Sequence, residues 1–437
     1  MAYMIFIIIY FIVVISPLVL ILLFSPITDH GIVYEMGKAF ALMGFIIIAF
    51  QFVLSSRRKW LEKHFGLDMI FQYHKAMSIL GGILILSHPV LLAIGSGNPE
   101  LLTSFSMPWN IWLGKILILI ILLQIIVSFL RTKFKIDFEK WRITHNIFGG
   151  ILLIGIFIHS LVTSHADLKV GILQGLWAGI FGAGIIAYIH HKFIKPAKLK
   201  NKAYSISNIK QETHNVWTLE MTPPENQRIY DYKPGQFHFI EILDNKDLQV
   251  EEHHFTISSS PTRQDFVSSS IKESGDFTSK ISNVKKGDLV SVEAPFGRFS
   301  HVFHPQDNNF VFIVGGIGIT PIMSMLRYMH AKKSENKALL MYANHSQKDI
   351  VFQDELETIA GSGYPDLKVI HVLDRPEKDW NGEVGYINGK IISNYVTDFN
   401  SRAFYVCCPP KMRKKVLQIL SARGVNENQI RVEIFSL

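Results

Sequence analysis

Four histidines stand inside apolar segments of this chain, and their spacing points to chemistry. His74 and His88 are fourteen residues apart, and so are His145 and His159. In a helix, fourteen residues is close to four turns. Each pair therefore lies near one face, its members roughly 21 Å apart along the axis. A single histidine at such a position reads equally well as a hydrogen-bond partner for a neighbouring helix. Two equal spacings on two segments running in the same direction read differently, because they set His74 level with His145 and His88 level with His159. Two imidazoles facing each other at one depth ligate a haem iron from both sides, so the four define two stacked haem sites. Zinc is the rival for a histidine pair, but each pair lacks the further ligands that zinc takes. Polar groups at this depth are costly and tend to be functional. Gly81, Gly82, Gly149 and Gly150 lie midway along the same segments and suit either a flat macrocycle or close helix packing. His64, His165, His190 and His191 fall at segment ends or in loops and receive no ligand role.

The elements that carry these residues follow from hydropathy. Hydrophobic residues make up 49% of the 437 positions and charged residues only 18%, against about a quarter charged in soluble domains. Residues 1–193 hold six apolar runs, at about 4–24, 33–54, 70–94, 111–130, 142–163 and 171–193. Each approaches or exceeds the roughly 20 residues that a spanning helix needs. The first lacks the basic start and small-residue cleavage site of a signal peptide and is read as a helix. Fourteen Lys and Arg residues flank the runs on one side, against Lys38, Lys115 and Lys169 on the other. The positive-inside rule then places both termini and the C-terminal half in the cytoplasm of a multi-pass protein of a plasma or bacterial inner membrane. Because the net charge of +8 is largely this topology signal, nucleic acid is excluded as a partner. Lys115, near the outer end of the fourth run, reads as a cation for a haem propionate or an anionic acceptor, or as an ordinary snorkelling side chain. The only two cysteines, Cys407 and Cys408, rule out a disulfide framework, a four-cysteine iron–sulfur cluster and a cysteine-rich zinc site.

The C-terminal half divides by pattern. Residues 201–302 alternate apolar and polar positions in short runs broken by Gly and Pro, which predicts a small antiparallel β-barrel. Residues 307–437 alternate apolar runs with helical periods, which predicts an α/β domain with a parallel sheet. In the first, the run from His254 to Ser260 offers hydroxyls and backbone donors suited to a flavin. Gly275 and Thr278 form a turn whose amides suit a pyrophosphate. In the second, VGGIGITP (Val314 to Pro321) follows a strand and opens a helix. Gly315, Gly316 and Gly318 let backbone approach a phosphate at the helix start. Pro321 stands where the third glycine of the dinucleotide fingerprint would be. Cys407 closes a later strand at the edge where open α/β sheets bind ligands; the alternative is a buried core thiol.

Taken in order, the two His pairs, HHFTISSS, GDFT, GGIGITP and CCPPKM resemble the ferric reductase and NADPH oxidase flavocytochromes, and the C-terminal half resembles the ferredoxin–NADP reductase superfamily. YKPGQF (Tyr232 to Phe237) and WNGEVGYI (Trp380 to Ile387) look like stretches of the same superfamily. The resemblance covers nearly the whole chain. It implies two b-type haems on His74, His88, His145 and His159, with FAD lined by His254, Phe255, Thr256 and Ser258 and its phosphates near Gly275 and Thr278. It further implies NADPH or NADH at Gly315, Gly316, Gly318, Thr320 and Pro321. Cys407 and Thr256 become the catalytic candidates, Cys407 beside the nicotinamide ring, and Phe435 becomes the aromatic residue that shields the flavin. Cys408 replaces the family's usual glycine. His345 stands where an Arg often binds the 2′-phosphate, with Lys348 and Arg375 as substitutes.

The expected protein is a transmembrane oxidoreductase that carries electrons from cytoplasmic NAD(P)H through FAD and the haems to an outer acceptor. That acceptor is oxygen, giving superoxide, or a ferric chelate. Two alternatives are a transporter or channel with a nucleotide-sensing domain, and a donor to a separate periplasmic protein.

Overall fold

A computed structural model describes residues 2–24, 30–163 and 171–434. The chain separates into two units, dividing between Pro196 and Ala197.

The first unit is helical: α1 (Ala2–Phe24), α2 (Gly31–Ser55), the short α3 (Lys59–Phe65), α4 (Leu67–Ser96), the single turn α5 (Glu100–Thr103), α6 (Trp109–Leu130), α7 (Phe138–Thr163) and α8 (Gly171–Ile189). A π-helical turn (His190–Ile194) leads into α9 (Lys195–Lys200). The six apolar runs are therefore helices α1, α2, α4, α6, α7 and α8. Five of them, all but α8, are long and apolar enough to cross a membrane on their described residues. Gly66 and Gly97, at φ +77° and +63°, break the chain at the two ends of α4, conformations that favour glycine. Helices α2 and α4 pack closely: a Cβ on Gly44 would lie 3.1 Å from the Gly81 carbonyl oxygen, and one on Gly81 2.9 Å from the Ile47 side chain. A Cβ on Gly82 would meet Ile125 at 2.8 Å, and one on Gly150 the Tyr188 hydroxyl at 3.2 Å. Gly81, Gly82 and Gly150 serve close helix packing, whereas a Cβ on Gly149 would meet Phe52 only at an ordinary 3.5 Å. Phe45, Ile46, Ile47 and Leu153 are fully buried at the centre of the bundle.

The second unit opens with strands β1 (Tyr204–Thr213), β2 (Val216–Thr222), β3 (Phe237–Ile242), β4 (Glu252–Thr256), β5 (Val267–Lys272) and β6 (Leu289–Phe296). They form one antiparallel sheet in the order β4-β3-β6-β1-β2-β5. The expected barrel is only approached, since β4 and β5 end the ladder. Past the end of β4 the Ser258 amide donates to the Ser268 carbonyl at 2.8 Å, a single bond rather than a paired edge.

The remaining strands are β7 (Asn309–Gly315), β8 (Lys337–Asn344), β9 (Asp366–Leu373), β10 (Glu383–Val384), β11 (Ala403–Cys407) and β12 (Ile430–Val432). They form a parallel sheet in the order β10-β9-β8-β7-β11-β12. The helices of this part are α10 (Ile319–Ala331), α11 (Gln353–Ser362), α12 (Gly389–Tyr395) and α13 (Pro410–Ala422). Strand β7 is apolar at nearly every position because both faces are covered. Phe310, Phe312 and Val314 meet the core that includes α10 and α11, whereas Val311 and Ile313 meet α12 and α13.

Candidate functional site

In the helical unit His74 and His145 face each other, while His88 and His159 line one cleft. His74 on α4 and His145 on α7 face each other with ring centroids 6.3 Å apart and planes at 66°. A metal bonded at about 2 Å to one nitrogen of each ring would set the ring centres roughly 6 Å apart. The Nδ1 atoms of both rings are buried and have no hydrogen-bond partner among the described residues. Trp141, one turn before His145, lays its ring 5.1 Å from it and donates its indole N–H to Ser128 at 3.3 Å.

The second pair is held differently. His88 donates its Nδ1–H to the Gly37 carbonyl on α2, and His159 donates its own to the Asn110 carbonyl on α6, each at 2.9 Å. A carbonyl only accepts, so both neutral rings carry the proton on Nδ1 and offer the Nε2 lone pair. Both rings line a largely apolar cleft, together with Lys38, Gly114, Ser160 and Trp177. Gly114 is what admits the His159 ring: a Cβ there would lie 2.7 Å from its Cε1. Trp177 on α8 donates to the Ser160 hydroxyl at 2.9 Å and closes the wall. Two imidazoles presenting lone pairs into an apolar cleft suit a bis-histidine haem, and the inner pair's separation suits the same ligation. Lys115, by contrast, donates to the Ser104 carbonyl at 2.8 Å and lies over the Trp112 ring; Lys38, paired with buried Glu35 at 2.8 Å, is the lysine in the cleft.

The second unit gathers its candidate residues around β4 and the start of α10. His254 sits among Phe237 and Phe239, with ring centroids 5.9 and 5.8 Å away. Thr256 ends β4, and its carbonyl accepts the Ser269 hydroxyl at 2.9 Å. Since that hydroxyl donates to Thr256, its oxygen accepts His238 Nε2–H at 2.7 Å, and His238 Nδ1 then accepts the Tyr230 hydroxyl at 2.7 Å. His238 is fully buried, and desolvation pushes its pKa down to about 3, so the ring stays neutral. The Ser258 hydroxyl lies among those of Ser268 and Ser270. At the turn, the amides of Ser274 and Gly275 already donate to Thr278 Oγ1, at 3.0 and 2.9 Å. The amide of Gly275 expected to face a pyrophosphate is thus held by the threonine expected beside it.

In the α/β part, Gly315 ends β7, Gly316 takes φ +54°, and Gly318 caps α10 with Thr320 and Pro321 in its first turn. Gly318 lies against the Cys407 carbonyl so closely that a Cβ would overlap it. Cys407 is fully buried at the end of β11, and burial, with Glu433 and Cys408 nearby, raises its thiol pKa, keeping it a neutral thiol. Cys408 is pushed up to about 11, again mainly by burial. It is not among the residues with positive φ, so the backbone here does not call for the glycine it replaces. Phe435 lies outside the described residues, as do His165 and Lys169.

The sequence reading missed the bonds that tie these two groups together. Ser324 on α10 donates to the Ser259 carbonyl at 2.7 Å, and Arg327 donates to the Ser258 carbonyl at 2.6 Å. Arg327 also makes a two-pronged pair with Glu355 at 2.7 and 2.6 Å, the geometry that fixes a guanidinium most firmly.

Comparison with known proteins gives three family matches. Residues 40–156 match "Ferric reductase like transmembrane component", residues 201–309 "FAD-binding domain" and residues 312–418 "Oxidoreductase NAD-binding domain". The glycine betaine monooxygenase reductase subunit of Chromohalobacter salexigens is 29% identical over 233 residues, 52% of this chain and 61% of that protein. The NADH-cytochrome b5 reductase 1 of Dictyostelium discoideum is 28% identical over 163 residues, 37% of this chain and 56% of that protein. The chain thus spans about three-fifths or less of the length of these relatives. A flavohaemoglobin from Malassezia yamatoensis, solved with bound FAD and haem, shares the fold at a TM-score of 0.50 and 18% identity, over 94% of this chain and 100% of that one.

Proposed function

From the premise that the chain carries the domain order of the ferric reductase and NADPH oxidase flavocytochromes, we propose that it moves electrons from cytoplasmic NADH through FAD and two b-type haems to an acceptor across the membrane. The chain is a membrane oxidoreductase with FAD- and NAD-binding domains; the haems, the direction and the acceptor are the proposal. The observation that carries it is the two imidazole couples, one facing with ring centres 6.3 Å apart and the other lining a common apolar cleft.

When bound, the cofactors supply the hydride and single-electron chemistry, and the chain's residues hold and orient them. His74 and His145 would hold the inner haem, and His88 and His159 the outer one. Helix α8 serves as a sixth span, and the basic loops after α2, α6 and α8 face the cytoplasm. Thr256, with the Tyr230–His238–Ser269 chain behind its carbonyl, positions the flavin. The start of α10 receives the nucleotide's phosphates, and Cys407 faces the nicotinamide as a neutral thiol rather than a nucleophile. The acceptor is oxygen or a ferric chelate. NADH added to purified protein with FAD under nitrogen should bring up reduced b-type bands. Superoxide yield in air against ferrous yield under nitrogen then names the acceptor. Flat spectra after haem-supplemented expression would remove the relay.

The choice of NADH over NADPH rests on the end of β8. The His345 ring lies 3.0 Å from both carboxylate oxygens of Asp374, whose side chain is only 8% exposed at the end of β9. A carboxylate there accepts a ribose hydroxyl and repels a 2′-phosphate. Lys348, one candidate substitute for the missing Arg, pairs with Glu377 at 3.6 Å. Asp374→Ser is expected to lower the NADH-over-NADPH ratio of kcat/KM roughly tenfold or more. An unchanged ratio in steady-state assays with both nucleotides would remove this assignment.

A further inference from the structure

The two imidazole couples differ in what stands behind them. In the outer couple each Nδ1–H is donated to a backbone carbonyl, Gly37 for His88 and Asn110 for His159, both at 2.9 Å. In the inner couple neither Nδ1 has a hydrogen-bond partner among the described residues, although both atoms are buried. A hydrogen bond from the far nitrogen of a ligating imidazole fixes its tautomer and makes it more basic. A more basic ligand pair stabilises the ferric state over the ferrous state.

Building on the haem-ligation reading above, we propose that the Gly37 and Asn110 carbonyls make the outer iron the harder of the two to reduce. Gly114 is the positioning residue that lets His159 reach its carbonyl, since a Cβ there would stand 2.7 Å from the ring. An electron passed outward then leaves the more easily reduced iron, which is oxidised, and reduces the less easily reduced one. No proton moves in that step, and the external acceptor draws it forward by taking the electron. The outer site is accordingly the stronger donor, the property needed at the end that meets the acceptor.

A spectroelectrochemical titration of the purified full-length protein tests this without turnover. Two separable one-electron steps are expected. His145→Ala, which keeps the outer couple, should retain only the lower step, and His159→Ala only the higher. Absence of b-type bands in the wild type would overturn the ligation reading and this inference together. Coincident steps, or a retained outer step at the higher potential, would overturn the inference alone. Should either alanine variant lose both haems, Gly114→Ala decides. Crowding the His159 ring away from Asn110 should move the lower step upward and leave the higher one in place; movement of the higher step, or of neither, overturns the proposal.

Discussion

His74→Ala is expected to stop electron delivery across the membrane while leaving NADH-dependent flavin reduction intact. His74 contributes half of the inner couple and faces His145 with ring centres 6.3 Å apart. It belongs to the helical unit, and the candidate flavin and nucleotide residues belong to the other. The reduced-minus-oxidised b-type signal should fall to about half, one haem of two. Reduction of either external acceptor should fall to background, while stopped-flow bleaching of the flavin by NADH keeps its wild-type rate. A variant that still reduces the acceptor at the wild-type rate would show that the inner couple is not on the electron path.

Gly318→Ala is expected to have the largest effect within the nucleotide-binding unit. The added methyl would overlap the Cys407 carbonyl. Because the obstacle is backbone rather than the end of a flexible side chain, the start of α10 or the end of β11 must shift. Both belong to the surface on which the nicotinamide is proposed to lie. A displacement of about 1 Å at a reacting centre costs roughly a hundredfold in rate. Flavin reduction by NADH should slow by that order, while dithionite still reduces the haems fully because the helical unit is untouched. Wild-type flavin reduction in this variant would mean that the α10–β11 junction does not set the hydride-transfer geometry.

The parts of this molecule visible in its sequence are those governed by local period. Equal intervals between His74 and His88, and between His145 and His159, needed only the helical repeat to be read. The glycine-rich turn before Thr320 and Pro321 likewise follows directly from a strand and opens a helix. What escaped was whatever depends on groups far apart in the chain. The acceptors for His88 and His159 are carbonyls 51 and 49 positions away, and a carbonyl carries no mark in a sequence. Gly114 looked like any small residue in an apolar run until His159 was placed against it. The relay behind Thr256 joins residues 230, 238 and 269, none of which stands out alone. Lys115 drew attention by its depth, yet its ammonium is held by a loop carbonyl, and Lys38 takes the position in the cleft. Alternating apolar and polar positions suggested a small antiparallel barrel, but closure depends on whether β4 and β5 run side by side, which alternation alone does not encode.

Helix α10 carries Thr320 and Pro321 at its start and the anchors Ser324 and Arg327 within the next two turns. From Pro321 to Arg327 the axis advances only about 9 Å. The part proposed to meet the nucleotide and the part fastened to the segment after β4 therefore belong to one stiff rod. Thermal jitter in one is copied into the other, so on the proposed reading the gap a hydride would jump is preset as the polypeptide folds rather than adjusted at each turnover. Lengthening this rod by a single residue would rotate its anchors by about 100° and uncouple the two rings even with every contacting side chain retained.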